Sequence, residues 1–162
     1  MARALIVGCG CRGRELGARL RGRGWQVRGT SRDRSSLERI GAAGVEAALA
    51  DPNRPGTLLD LCGDVATVVW LLGSASGDPE LIRAIHGPRL ERLLEKLVDS
   101  PVRSFVYESS GEVAAELLER GRRLVIDASR AWRIPVAFID GSPGKAGWAE
   151  RAAASVTESL AA

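Results

Sequence analysis

The hexapeptide Gly8-Cys9-Gly10-Cys11-Arg12-Gly13 constrains this 162-residue chain more than any other segment. It follows Ala4-Leu5-Ile6-Val7, an apolar run whose lack of polar alternation predicts a strand buried on both faces. It opens a helical period over residues 12–23, in which Leu16 and Leu20 share one face and Arg14, Arg19, Arg21 and Arg23 supply the wet side. In a G-x-G-x-x-G between strand and helix, the first glycine permits the tight turn. The second lets backbone approach a pyrophosphate, and the third packs helix on strand. The start of the helix then offers free N–H groups to phosphate. A dinucleotide site over Gly8, Gly10, Cys11, Arg12 and Gly13 is the expectation.

Short apolar runs and longer helical periods alternate along the rest of the chain. Strands are predicted at 26–30, 45–49, 65–72, 102–107 and 135–139, and helices at 35–40, 57–61, 79–85, 88–98, 112–132 and 148–160. Pro88 suits a first helical position after the break at Gly87. This alternation predicts an α/β fold with a mostly parallel, six-stranded, doubly wound sheet covered by helices on both faces. With no internal repeat and no linker long enough to divide it, residues 1–162 read as a single domain, with the terminal helix inside 145–162.

The end of the second strand selects the cofactor. An acid there would bond the adenosine ribose of NAD. The chain has Thr30-Ser31-Arg32 instead, a pair of hydroxyls and a guanidinium suited to a 2′-phosphate. NADP is therefore expected ahead of NAD, although Asp33 offers Arg32 a rival partner. A methyltransferase using S-adenosylmethionine would also want the missing acid.

From the glycine turn through Leu16, Leu20, Gly24, Val27 and Arg32, the sequence resembles the extended or atypical branch of the short-chain dehydrogenase/reductase superfamily, of the NAD-dependent epimerase kind. Gly44-Val45 with Asp51, Asp64-Val65 into Leu71-Leu72-Gly73, and Arg103 to Ser110 extend the likeness over nearly the whole chain. The resemblance implies a Rossmann fold and gives Asp51 the adenine contact. It sets Leu72 and Gly73 along the cofactor and brings Ser109 and Ser110 to the nicotinamide end. It also implies that Arg12, a basic residue inside the turn, accompanies NADP.

Catalytic members of that superfamily use a Tyr-x-x-x-Lys pair. The one tyrosine here, Tyr107, is followed four residues later by Gly111, and the only lysines are Lys96 and Lys145. Their C-terminal substrate domain is expected to be missing or reduced to one helix after Ile139. No catalytic residue is assigned. The expected function is an NADP(H)-binding Rossmann protein acting as a regulatory or cofactor-sensing module. The alternative is a small NADPH-dependent reductase of an easily reduced planar acceptor. Ser109 and Ser110 have a plainer reading as caps of the next helix, helped by Glu112 and Glu116. His86, the single histidine, sits before the Gly87-Pro88 break and is expected to be solvated. Cys9 and Cys11 are expected to be buried packing residues, and Gly141-Ser142-Pro143-Gly144 reads as a turn or the start of a lid.

Composition excludes several other classes. No apolar run nears the roughly 20 residues of a membrane helix, so no membrane partner is expected. Arginines are interleaved with acids and aromatics make up only 4% of the chain, so nucleic-acid binding is not expected either. Three cysteines form no disulfide framework and no common zinc spacing, which suits a reducing cytoplasm and no metal. The long helices at 79–98 and 112–132 are the expected homodimer surface, as helix pairing is frequent in the superfamily.

Overall fold

The computed structural model describes residues 2–142 and 144–162. Six strands form one sheet: β1 (Arg3–Val7), β2 (Gln26–Ser31), β3 (Glu46–Leu49), β4 (Thr67–Trp70), β5 (Ser104–Glu108) and β6 (Val136–Ile139). Their order is β3-β2-β1-β4-β5-β6, and every pairing is parallel. The expected sheet was mostly parallel; the described one is wholly so. Its order reverses between β1 and β4, and the crevice above that switch point is where such folds bind ligands.

Alternation along buried strands fills two cores. Leu5, Val7, Val68, Trp70, Phe105 and Tyr107 face one side; Ala4, Ile6, Val69 and Val106 face the other. The first core is covered by α3 (Pro55–Leu59), α4 (Pro79–Ile85), α5 (Pro88–Leu97) and α6 (Ala115–Trp132). The second lies under α1 (Cys11–Gly22), α2 (Leu37–Ala42) and α7 (Trp148–Ala161). Helix α5 shows how sequence sets this arrangement. Pro88 starts it, and Leu90, Leu93, Leu94 and Leu97 fall on one stripe and are all buried. Each contributes about 2–3 kcal/mol of apolar burial, an upper estimate. Helix α7 is keyed to the sheet by a buried hydroxyl chain. Ser159 Oγ lies 3.1 Å from Ser104 Oγ, which is 2.7 Å from Thr67 Oγ1.

Several boundaries shift for physical reasons. The apolar run 65–72 is buried almost throughout, but only Thr67–Trp70 enters the ladder. Beyond it Leu71 N–H still donates to Val7 O at 3.0 Å, and Leu71 and Leu72 line the crevice. Helix α6 begins at Ala115 rather than 112, because Val113 N–H is drawn to Gly73 O at 2.9 Å and Ala114 is extended. The terminal helix occupies Trp148–Ala161 of the expected 145–162. No described helix is long and apolar enough to cross a membrane.

Candidate functional site

The glycine turn is built as its spacing implies. Gly8 has φ +88°, and a Cβ there would lie 2.7 Å from Leu71 O, so only glycine fits without strain. Cys9 N–H donates to Thr30 O at 2.9 Å, which fastens the turn to the end of β2. Gly13 packs beneath, where a Cβ would meet Gly8 O at 3.1 Å. Gly10 is different: it is exposed, and a Cβ would meet nothing within 4 Å. Gly10 N–H turns back to Gly8 O at 2.9 Å, and Arg14 N–H is the first to close an α-helical bond, to Gly10 O at 2.9 Å, which leaves the N–H groups of Cys11, Arg12 and Gly13 at the open end of α1.

Above this turn lies a cleft of about 280 Å³. Gly8, Gly10, Arg12, Thr30, Ser31, Arg32 and Leu72 line it, so seven of the expected residues are brought together from β1, α1, β2 and the end of β4. Asp33 is not the partner of Arg32. Its carboxylate accepts from Ser35 N–H at 3.0 Å, and the Ser35 side chain together with that N–H holds it below the usual carboxylate range. No ion pair among the described residues includes Arg32.

The other expected residues lie elsewhere. Cys11 is exposed on the outer side of the turn, against the expectation that it packs, whereas Cys9 is buried and its thiol is pushed up to about 11. Asp51 turns into its own loop, where its Oδ1 accepts from Asn53 N–H at 2.9 Å; Pro52 and Asn53 line the cleft in its place. Gly73 is buried beneath Ser110 and donates its N–H to Glu108 at 2.7 Å. Ser109 Oγ donates to the Asp140 carboxylate, and Ser110 Oγ accepts from Gly141 N–H at 3.1 Å. Neither serine caps α6, whose start has no side-chain cap. Ser110 instead borders a second cleft of about 500 Å³, joined to the first through Arg12 and Ser74. Gly141, Ser142 and Gly144 also border it, while Pro143 lies outside the described residues.

Two groups escaped sequence reasoning. Glu108, the last residue of β5, is fully buried and ion-paired with Arg12 Nη1. Burial pushes its carboxyl above the ordinary range, and Arg12 and the Gly73 N–H pull it partly back. The Arg12 head group is thus held at β5, while Arg32 follows β2. Three strand spacings separate those positions, about 14 Å. Arg12 and Arg32 thus border the cleft from opposite ends. The second group is His86, which is buried and not solvated. Its Nε2 lies 3.0 Å from Leu72 O, which can only accept, so Nε2 carries the proton. Nδ1 then accepts from the Tyr107 hydroxyl at 2.6 Å. Burial pushes the imidazole below its ordinary value and the phenol above its own. The wall just before His86, formed by Leu81, Ile82 and Ile85 of α4, lines the first cleft.

No family profile and no curated protein matches the sequence. Solved structures do match in fold. A short-chain dehydrogenase/reductase superfamily protein from Agrobacterium tumefaciens with bound NAD is 22% identical, with a TM-score of 0.68 over 84% of this chain and 48% of its own. UDP-glucuronic acid 4-epimerase from Bacillus cereus, in complex with NAD, is 17% identical, with a TM-score of 0.67 over 84% and 54%. Triphenylmethane reductase from Citrobacter, complexed with NADP(H), is 18% identical, with a TM-score of 0.64 over 86% and 49%. The chain spans about half the length of these proteins. At such identities the likeness is one of fold: this chain has the Rossmann fold of NAD- and NADP-binding dehydrogenases, epimerases and reductases.

Proposed function

We propose that this chain binds NADP(H) in the cleft over the glycine turn and acts as a cofactor-sensing module. One observation carries the preference for NADP. Arg32, without a carboxylate partner, stands beside Thr30 and Ser31 on the rim of the cleft that contains Gly8 and Gly10. In this reading the pyrophosphate lies over the open end of α1, and the 2′-phosphate meets Thr30, Ser31 and Arg32. The adenine enters between Pro52 and Asn53 on one side and Ile82 and Ile85 on the other. The sensing role is supported by the fate of Tyr107, whose hydroxyl is sealed against His86 away from the cleft. Self-association through α4, α5 and α6 belongs to the same reading, supported by exposed Val98 and Trp132 at the ends of α5 and α6. A cytoplasmic location fits the three free thiols.

The second cleft favours a second reading, an NADPH-dependent reductase whose acceptor occupies the space bordered by Ser110 and Arg12. Turnover with a flavin, quinone or bilin-like acceptor separates the two. The cofactor assignment is tested by Arg32→Ala. A hydrogen bond to a charged group is worth about 1.5–3 kcal/mol, and solvent at this exposed position favours the low end. NADPH affinity is expected to fall about tenfold while NADH affinity holds. Equal losses for both cofactors, or none, would refute the assignment.

A further inference from the structure

We propose that Arg12 and Glu108 form a proton-coupled latch on the cofactor cleft: the pyrophosphate draws the Arg12 guanidinium away from Glu108, and the vacated carboxylate binds a proton from solvent. This rests on the dinucleotide reading above.

The argument starts from unequal freedom. Arg12 stands in the first turn of α1, a quarter of its side chain is exposed, and it lines both clefts. An anion over the turn, bound by the open N–H groups of the helix, therefore meets the same guanidinium. Glu108 cannot follow. It is fully buried, and its second oxygen is held by Gly73 N–H at 2.7 Å. A buried carboxylate stripped of its cation is far costlier than a buried carboxyl, so the group neutralises instead. Burial already raises Glu108, and Arg12 with the Gly73 N–H supplies what opposes the rise.

Among the described residues Arg12 is the one cation ion-paired with Glu108, and Arg14, further along α1, acts on the Cys9 thiol. On α1 and α7, Arg19 and Arg23 are spent on Glu150, and Arg151 donates to Ala146 O at 3.0 Å. From β6, Asp140 is a carboxylate already engaged by Ser109 Oγ. Glu112, ahead of α6, is exposed at the second cleft, and the Tyr107 hydroxyl turns to the opposite face and His86. One proton is thus bound per cofactor, supplied by the buffer acid, and no covalent bond to carbon changes.

Calorimetric titration at one pH in two buffers of different ionisation enthalpy reads this proton directly. NADH is the first probe, because it lacks the 2′-phosphate whose own ionisation would add to the signal; NADPH is the second. Wild type is expected to take up protons, up to one per NADH, so its affinity should weaken as pH rises, by up to about tenfold per unit. Glu108→Gln keeps an acceptor for Gly73 N–H and should show no uptake and a flat pH profile. Binding with buffer-independent heat in wild type, or unchanged uptake in Glu108→Gln, overturns the latch alone. The wild-type pair of buffers decides even where the variant folds poorly. No heat with either cofactor overturns the dinucleotide reading and the latch together.

Discussion

Replacing Gly121 by alanine sets two opposing effects against each other at one atom. Gly121 lies in α6 and is buried against β5, and a Cβ there would collide with the Tyr107 hydroxyl. In an open helix position the exchange would stabilise by about 1 kcal/mol through helix propensity. Here the added methyl overpacks a filled site, which costs about 1–3 kcal/mol. It also pushes the phenol off His86 Nδ1, now 2.6 Å away, and each buried polar group left unpaired costs about 1–3 kcal/mol. The net expectation is a loss of about 2–4 kcal/mol, which lowers Tm by about 5–15 °C for a chain of this length. Thermal unfolding followed by circular dichroism measures it. Tyr107→Phe removes the clashing oxygen, so the double variant should recover more than about 1 kcal/mol relative to additivity. An unchanged or raised Tm for Gly121→Ala would refute the packing of α6 on Tyr107 and the buried pair with it.

Three further outcomes are expected. His86 is neutral when folded and ordinary when unfolded, so below about pH 6.5 the unfolded chain binds more protons and His86 lowers stability. The Tm difference between wild type and His86→Gln should therefore grow as pH rises through that value, and the single imidazole signal by NMR should titrate below it. Gly10→Val should leave Tm nearly unchanged, since open space surrounds the site, yet abolish dinucleotide binding by filling the approach to the turn. Equal binding by the variant would remove the turn from the site. In native protein a thiol reagent should label Cys11 quickly and leave Cys9 and Cys62, both buried and pushed up to about 11, until unfolding.

What was legible in the sequence followed local rules. The turn glycines, the leucine stripe of α5 and the apolar strand runs each carry their meaning within a few residues. Hence sheet class, helix placement and the Gly8, Gly10, Thr30–Arg32 rim were readable. The rest depended on partners distant in sequence. Glu108 carries no local signal, because its cation, Arg12, is 96 residues away. His86 looked solvated because a Gly-Pro break resembles a surface turn, and nothing nearby announces Tyr107 or the Leu72 carbonyl. The run 65–72 reported burial, which is not the same as membership of the ladder. Ser109 and Ser110 are not caps because their hydroxyls bond Asp140 and Gly141, just past β6, whose proximity only the pairing of β5 with β6 creates.

A dinucleotide site selective for the 2′-phosphate is tested by titrating the purified chain with NADPH and with NADH. Tryptophan fluorescence or calorimetry gives both affinities. NADPH is expected to bind about tenfold tighter, the difference assigned to Arg32 and its neighbouring hydroxyls. Equal affinities would contradict the assignment of Arg32, and no binding of either cofactor would contradict the site itself.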